Sequence, residues 1–250
     1  MSLFRNVVFV AALVGLLSGL FLTLMQGAVT VPLILQAETF ESGGEPAADT
    51  ALAVPGPAGG HDHAEEEEDG WMPSDGFERY LYTGIANVLA GIGFALLLIS
   101  ASEAFGGLKG WRNGLHWGLA GFLVFSLVPG IGLAPELPGM PAAELFPRQV
   151  WWTATAAATA AALALLVFSR SPVLAAVALV LLVAPHLVGP PQPESHETLV
   201  PADVHQRFVA GVFATSLVFW ATIGVLAALI RPRFRAGEDH LPETSARVPA

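Results

Sequence analysis

Residues 72–100 read MPSDGFERYLYTGIANVLAGIGFALLLIS: a proline, an acid, an arginine four residues after that acid, and then an apolar run broken only by Asn87 and small polar residues. From Tyr80 to Ser102 the run has the length, about 20 residues, that a helix needs to cross a hydrocarbon core of about 30 Å. The same opening recurs as MPAAELFPR at 140–148 and VPADVHQR at 200–207, each time ahead of another long apolar run. Asp75 precedes Arg79, Glu144 precedes Arg148 and Asp203 precedes Arg207 by four residues, which puts each pair on one face of a helix's first turn. Pro73, Pro141 and Pro201 stand just upstream, where proline is tolerated, and an acid there complements the positive end of the helix.

Reading backwards from each copy gives a second apolar run ending near a proline: Pro32 in VPLILQAE, Pro129 in VPGIGLAPE and Pro185 in APHLVGPPQPE. The repeating unit is therefore a helical hairpin used three times. The expected fold is an all-α integral membrane protein with six transmembrane helices at 7–35, 80–102, 115–133, 149–168, 172–188 and 208–230. The fifth run is the shortest, so a five-span variant with a re-entrant fifth segment is the competing topology. Composition agrees, because 54% of the 250 residues are hydrophobic and 13% charged, far from an ordinary soluble domain. The first run is too long for a signal-peptide core and reads as a span.

Lysine and arginine set the orientation. Arg5, Lys109, Arg112, Arg170, Arg231, Arg233, Arg235 and Arg247 share the side of both termini, which is therefore cytoplasmic, and only Arg79, Arg148 and Arg207 lie outside. Of the 21 acids, only Glu103, Glu238, Asp239 and Glu243 are inside. The net charge of −10 thus conceals a strongly negative outer face and a positive inner one. An acidic balance of this kind gives no reason to expect nucleic acid as a partner; the partner in view is the lipid bilayer. Residues 1–235 form the expected bundle, 36–78 a long flexible outer loop, and 236–250 a disordered cytoplasmic tail.

That outer loop carries HDHAEEEED at 61–69, where His61, Asp62, His63, Glu65, Glu66 and Asp69 combine imidazole with carboxylate. Such a tract binds borderline divalent cations such as cobalt, nickel or zinc. Being flexible, it suits capture and fast exchange rather than a structural site of fixed geometry. The bland reading is a solvated acidic segment. Ionisable groups at the membrane edge supply a second constellation. His186 follows Pro185, while Glu38, Glu78 and Glu136 adjoin span ends, and with Asn87, Met140, Gln149 and Gln192 they are candidates for an outer vestibule that strips part of a cation's hydration. Against this stands the reading of each as a helix-end or headgroup contact. His116, Trp151 and Trp152 read as interfacial belt residues.

Gly15 and Gly19, like Gly114 and Gly118, have the four-residue spacing that lets helices approach closely. There is no cysteine, which removes disulfides and thiolate metal sites. No phosphate-binding loop, nucleophile elbow or HExxH motif is present, so no catalysis and no resident cofactor are expected.

VPLILQAETFE, the His/Glu tract, DGFERYLYTGIANVLAGIGFALLL, GLHWGLAGF, PELPGMPAAE, RQVWWTATA and PHLVGPPQPE together resemble the CbtA family of predicted cobalt transporter subunits, over nearly the whole chain. The resemblance implies cobalt (or nickel) as the transported ion, a link to cobalamin synthesis, a small histidine-containing membrane subunit as partner, and the cell's inner (plasma) membrane as location. The family is often described with five spans. A non-transporting scaffold or metal-sensing subunit is the alternative. Arg79, Arg148 and Arg207, with their acids Asp75, Glu144 and Asp203, read as structural anchors of the outer rim.

Overall fold

A computed structural model of the protein describes residues 2–42 and 76–235, and among these every regular element is helical. Helix α1 (Ser2–Val29) continues almost directly into α2 (Val31–Ser42). The break at Thr30 has a covalent cause: Pro32 has no N–H to give the carbonyl four residues back, and its ring crowds that carbonyl. Helix α3 is Phe77–Ala104. The next rod comprises α4 (Trp111–Phe122), a π-helical turn at Leu123–Leu127 and α5 (Val128–Gly132). Here Pro129 removes the donor to the Phe125 carbonyl, and the ladder widens one turn upstream, where Val128 N–H bonds the Leu123 carbonyl. Helices α6 (Leu145–Phe168), α7 (Pro172–Val188) and α8 (Ala202–Arg235) complete the chain.

Five stretches are long and apolar enough to cross a membrane: Phe4–Val29, Phe77–Ala104, Trp111–Gly132, Leu145–Phe168 and Ala202–Phe234. The chain is a multi-pass membrane protein of helices. Helix α7, the expected fifth span, has 17 residues. At about 1.5 Å per residue it is about 26 Å long, a little short of the hydrocarbon core. The expected loop at 36–78 loses its two edges to helix, since α2 runs to Ser42 and α3 starts at Phe77. Residues 43–75, with the whole His61 to Asp69 tract and Asp75, lie outside the described residues, as do 236–250.

The core is made by α1, α3, α4 and α8, where Val10, Val14, Ile99, Trp220 and Ile223 are buried together. Glycine makes this packing possible. A Cβ on Gly15 would run into the Gly91 and Ile92 backbone of α3, and one on Gly114 would run into the Gly224 carbonyl of α8. Both four-residue glycine pairs therefore sit where helices approach closely, as their spacing predicts. Helices α6 and α7 form an antiparallel hairpin, which meets the core through the π turn and α5.

Two ends follow from the contacts. At one, Phe9 meets Phe234, Arg231 meets Glu103 and Phe105 stacks on Phe168, so both ends of the described chain lie together. At the other, Leu33, Ala37, Leu137, Val200, Val204 and Phe208 form a second apolar cluster. Met140 packs against it. Arg79, Arg148 and Arg207, the arginines of the three repeat openings, are all at this second end.

Candidate functional site

The second end is hollow. Helix α6 turns Arg148, Gln149, Trp152 and Thr153 toward α8, a spacing that keeps them on one face, and α8 answers with Val212, Phe213 and Ser216. Phe125 and Ser126 of the π turn, Gly130 of α5 and the link Leu133 to Glu136 close the third side. They border an open cavity of about 710 Å³. Proline at 129 shapes this wall indirectly, because the widened turn it enforces brings Phe125 and Ser126 to the cavity. Ser126 Oγ also accepts a hydrogen bond from Trp220 Nε1 at 3.2 Å, which ties the π turn to α8.

A second cavity of about 220 Å³ lies on the other flank of α8. It is lined by Gln26, Thr30 and Ile34 of α1 and α2, by Arg79, Tyr80 and Thr83 of α3, and by Phe208, Thr215, Val212 and Ser216 of α8. Val212 and Ser216 border both cavities. Just below, Asn87 donates to Gln26 Oε1 at 2.7 Å and to Thr23 Oγ1 at 3.0 Å, so a polar residue inside a span is satisfied by its neighbours, as a low-dielectric setting requires.

Arg148 does not pair with the acid four residues before it, while Asp75, the acid before Arg79, lies outside the described residues. Arg148 reaches away from Glu144, which is exposed, to Glu136 at the end of the preceding rod, 3.0 Å from carboxylate oxygen to guanidinium. Arg79 makes the equivalent bond to Glu38 of α2 at 2.9 Å. Glu144 sits just before the helix start, whereas a carboxylate on the neighbouring element faces each of these two guanidinium groups. Both bridges are about one-third exposed, 32% on each side for the first unit and 31% and 28% for the second. Pairs so accessible to water are worth about 0–1 kcal/mol. The third unit differs: Arg207 and Asp203 are both exposed, and among the described residues Arg207 makes no ion pair. Instead His205 Nε2–H donates to the Pro135 carbonyl at 3.0 Å, and this contact fixes the start of α8 against the link that carries Glu136.

The vestibule expected from sequence is thus only partly assembled. Glu136 and Gln149 share the larger cavity, and Glu38 touches the smaller one through Arg79. Glu78 lies in the first turn of α3. His186 is elsewhere, edge-on to Trp151 with ring centres 5.7 Å apart, and borders neither cavity. Gln192 bonds the Pro190 carbonyl. No group of three or more His, Asp or Glu among the described residues is placed to hold a metal ion. Trp151 is a correction: it is 8% exposed, and its Nε1–H donates to the Pro185 carbonyl at 3.2 Å, so it locks α6 to α7 rather than sitting in an interfacial belt. Ser126, Thr153 and Ser216 escaped the sequence reading, although each hydroxyl interrupts an otherwise apolar stretch.

Chemically, the larger cavity offers one carboxylate, one guanidinium, an amide and several hydroxyls. These oxygens are donors that hard and borderline divalent cations accept, with water completing the shell. A family model described as a probable cobalt transporter subunit (CbtA) matches residues 4–231. No curated protein and no solved structure matches the chain.

Proposed function

This chain belongs to the CbtA family, and from that premise we propose that it is the membrane-spanning subunit through which cobalt (or nickel) is taken up, feeding cobalamin synthesis. Family membership is the observation that carries this reading. Supporting the direction is a charge asymmetry among the described residues: Arg5, Arg231 and Arg233 lie at the end where the described chain begins and ends, and Glu38, Glu136 and Glu144 at the end with the cavities. The first end is cytoplasmic, the cavities open outward, and the protein resides in the cell's inner membrane. Helix α7 then makes a sixth pass, because it starts beside Phe168 at the inner end and finishes at Trp151 at the outer one.

In this scheme the loop residues His61, Asp62, His63, Glu65, Glu66 and Asp69 gather the ion near the membrane. Glu136, with Gln149 and the hydroxyls below it, receives it; Glu38 and Glu78 stand beside Arg79 at a second approach, and His186 contacts a partner or the ion at the rim. A small histidine-containing membrane subunit is the proposed partner. No energy source need be built into the chain, since a divalent cation moving into a negative-inside cell gains about twice 2.3 kcal/mol per 100 mV. Accumulation of labelled cobalt in cells expressing the chain, alone and with the small subunit, tests the proposal. Uptake above empty vector in at least one of the two is expected, and equality with empty vector in both would overturn it.

A further inference from the structure

Two repeats carry the same device, and each stands at a cavity. In the first, Arg79 holds Glu38 and lines the smaller cavity; in the second, Arg148 holds Glu136 and both line the larger one. The third arginine, Arg207, borders neither cavity and, among the described residues, has no such carboxylate. Bracing of a helix start would serve all three units equally. The arrangement instead follows the cavities. We propose that Arg148 is a tethered counter-cation on Glu136, a charge-selective latch that a divalent cation displaces and a monovalent cation does not.

The proposal rests on the transport reading above and deepens it by assigning the cation class admitted at the outer cavity. Three physical points support it. First, the attraction of Glu136 for a cation at a given distance scales with the cation's charge, so a divalent ion is drawn about twice as strongly as the guanidinium or any monovalent ion. A sodium or potassium ion gains at Glu136 only what Arg148 already supplies, and Arg148 is tethered beside it at high effective concentration. Second, the bridge is weak enough to open, being about one-third exposed to water. Third, the space is adequate. Six waters at about 30 Å³ each occupy about 180 Å³, against a cavity of about 710 Å³. The ion therefore arrives hydrated, and Gln149 and Thr153, with Ser216 and Ser126, offer oxygens to replace part of that shell. Arg148, once released, swings toward solvent and repels a second cation.

Trp152 lines the same cavity and is a built-in reporter, because bound cobalt quenches tryptophan fluorescence at short range. The test uses the purified full-length protein and cobalt chloride, and reads the part of the quenching that Trp152→Phe removes. In the wild type this part should saturate; at equal ionic strength magnesium chloride should shift its midpoint and sodium chloride should not. Removing the competitor in Arg148→Gln should lower the midpoint by about two- to fivefold, the size of an ion pair this accessible to water, while Arg148→Lys stays close to wild type. Glu136→Gln should abolish saturation, and Arg207→Gln should leave the midpoint unchanged. An Arg148→Gln midpoint equal to or above wild type, or sodium competing as well as magnesium, overturns the latch. The sodium and magnesium comparison needs no substitution at Arg148, so misfolding of that variant would not shield the proposal. An adventitious lipid chain as the only occupant would show as no saturable quenching in the wild type, which also overturns it. Cellular cobalt uptake is read separately: uptake with a failed latch refutes this inference alone, and a working latch without uptake refutes the transport reading alone.

Discussion

Glu103 and Arg231 make a further ion pair, at the end where the described chain begins and ends, and it differs in kind from the two beside the cavities. Arg231 is 1% exposed and Glu103 19%, with Nε and Oε1 3.1 Å apart, joining α3 to α8. Removing one member of a buried pair strands the other, at a cost of about 3–5 kcal/mol. Glu103→Ala should therefore lower the unfolding temperature in detergent sharply, whereas Arg207→Gln, an exposed surface change, should stay within about 0.5 kcal/mol of wild type. Single side chains were also where sequence reading was weakest. Glu38 and Glu136 stood out because carboxylates at span ends are costly, but their partners did not, since spacing along one helix reports only neighbours on that helix. The pairing of Arg79 with Glu38 and of Arg148 with Glu136 depends on which rods lie side by side. Trp151 was misread for the same reason: an aromatic at a span end looks interfacial until a second helix, here α7, supplies the carbonyl that its Nε1–H finds.

Helices themselves were far more legible, because apolar length is a property of the segment alone. Pro32 and Pro129 were legible only as marks near the ends of apolar runs, and it is the structure that reveals the break at Thr30 and the widened turn that delivers Ser126 and Phe125 to a cavity. Glycine spacing announced close approach without naming the partners, which are α3 for Gly15 and α8 for Gly114. Gly224→Leu should accordingly destabilise the bundle by about 1–3 kcal/mol, the usual range for overpacking or more, since the obstacle is the backbone of Gly114. Thermal unfolding in detergent measures it. Helix α7 is the element whose length alone leaves two topologies open. Lacking cysteine, the chain suits single-cysteine labelling in intact cells. Ser195→Cys, after α7, should react with a membrane-impermeant maleimide, and Ser171→Cys, before it, only after permeabilisation; the reverse pattern, or equal labelling of both, would exclude a sixth pass in this orientation.

Among the described residues, two cavities share the Val212 and Ser216 face of α8 at one end of a tightly packed four-helix core. Deleting 61–69 should lower uptake mainly at limiting cobalt, raising the apparent KM while leaving the maximal rate near wild type, because a collecting tract acts before the bundle does. On the proposed function, this chain conducts a divalent cation inward from its acidic end. Cobalt influx into proteoliposomes containing the chain and the small subunit, driven by an imposed negative-inside potential and followed with a trapped metal-sensitive dye, tests it directly. Influx should exceed that of protein-free vesicles, rise with the potential and fall in Glu136→Gln. Influx no faster than in protein-free vesicles at every potential would contradict it.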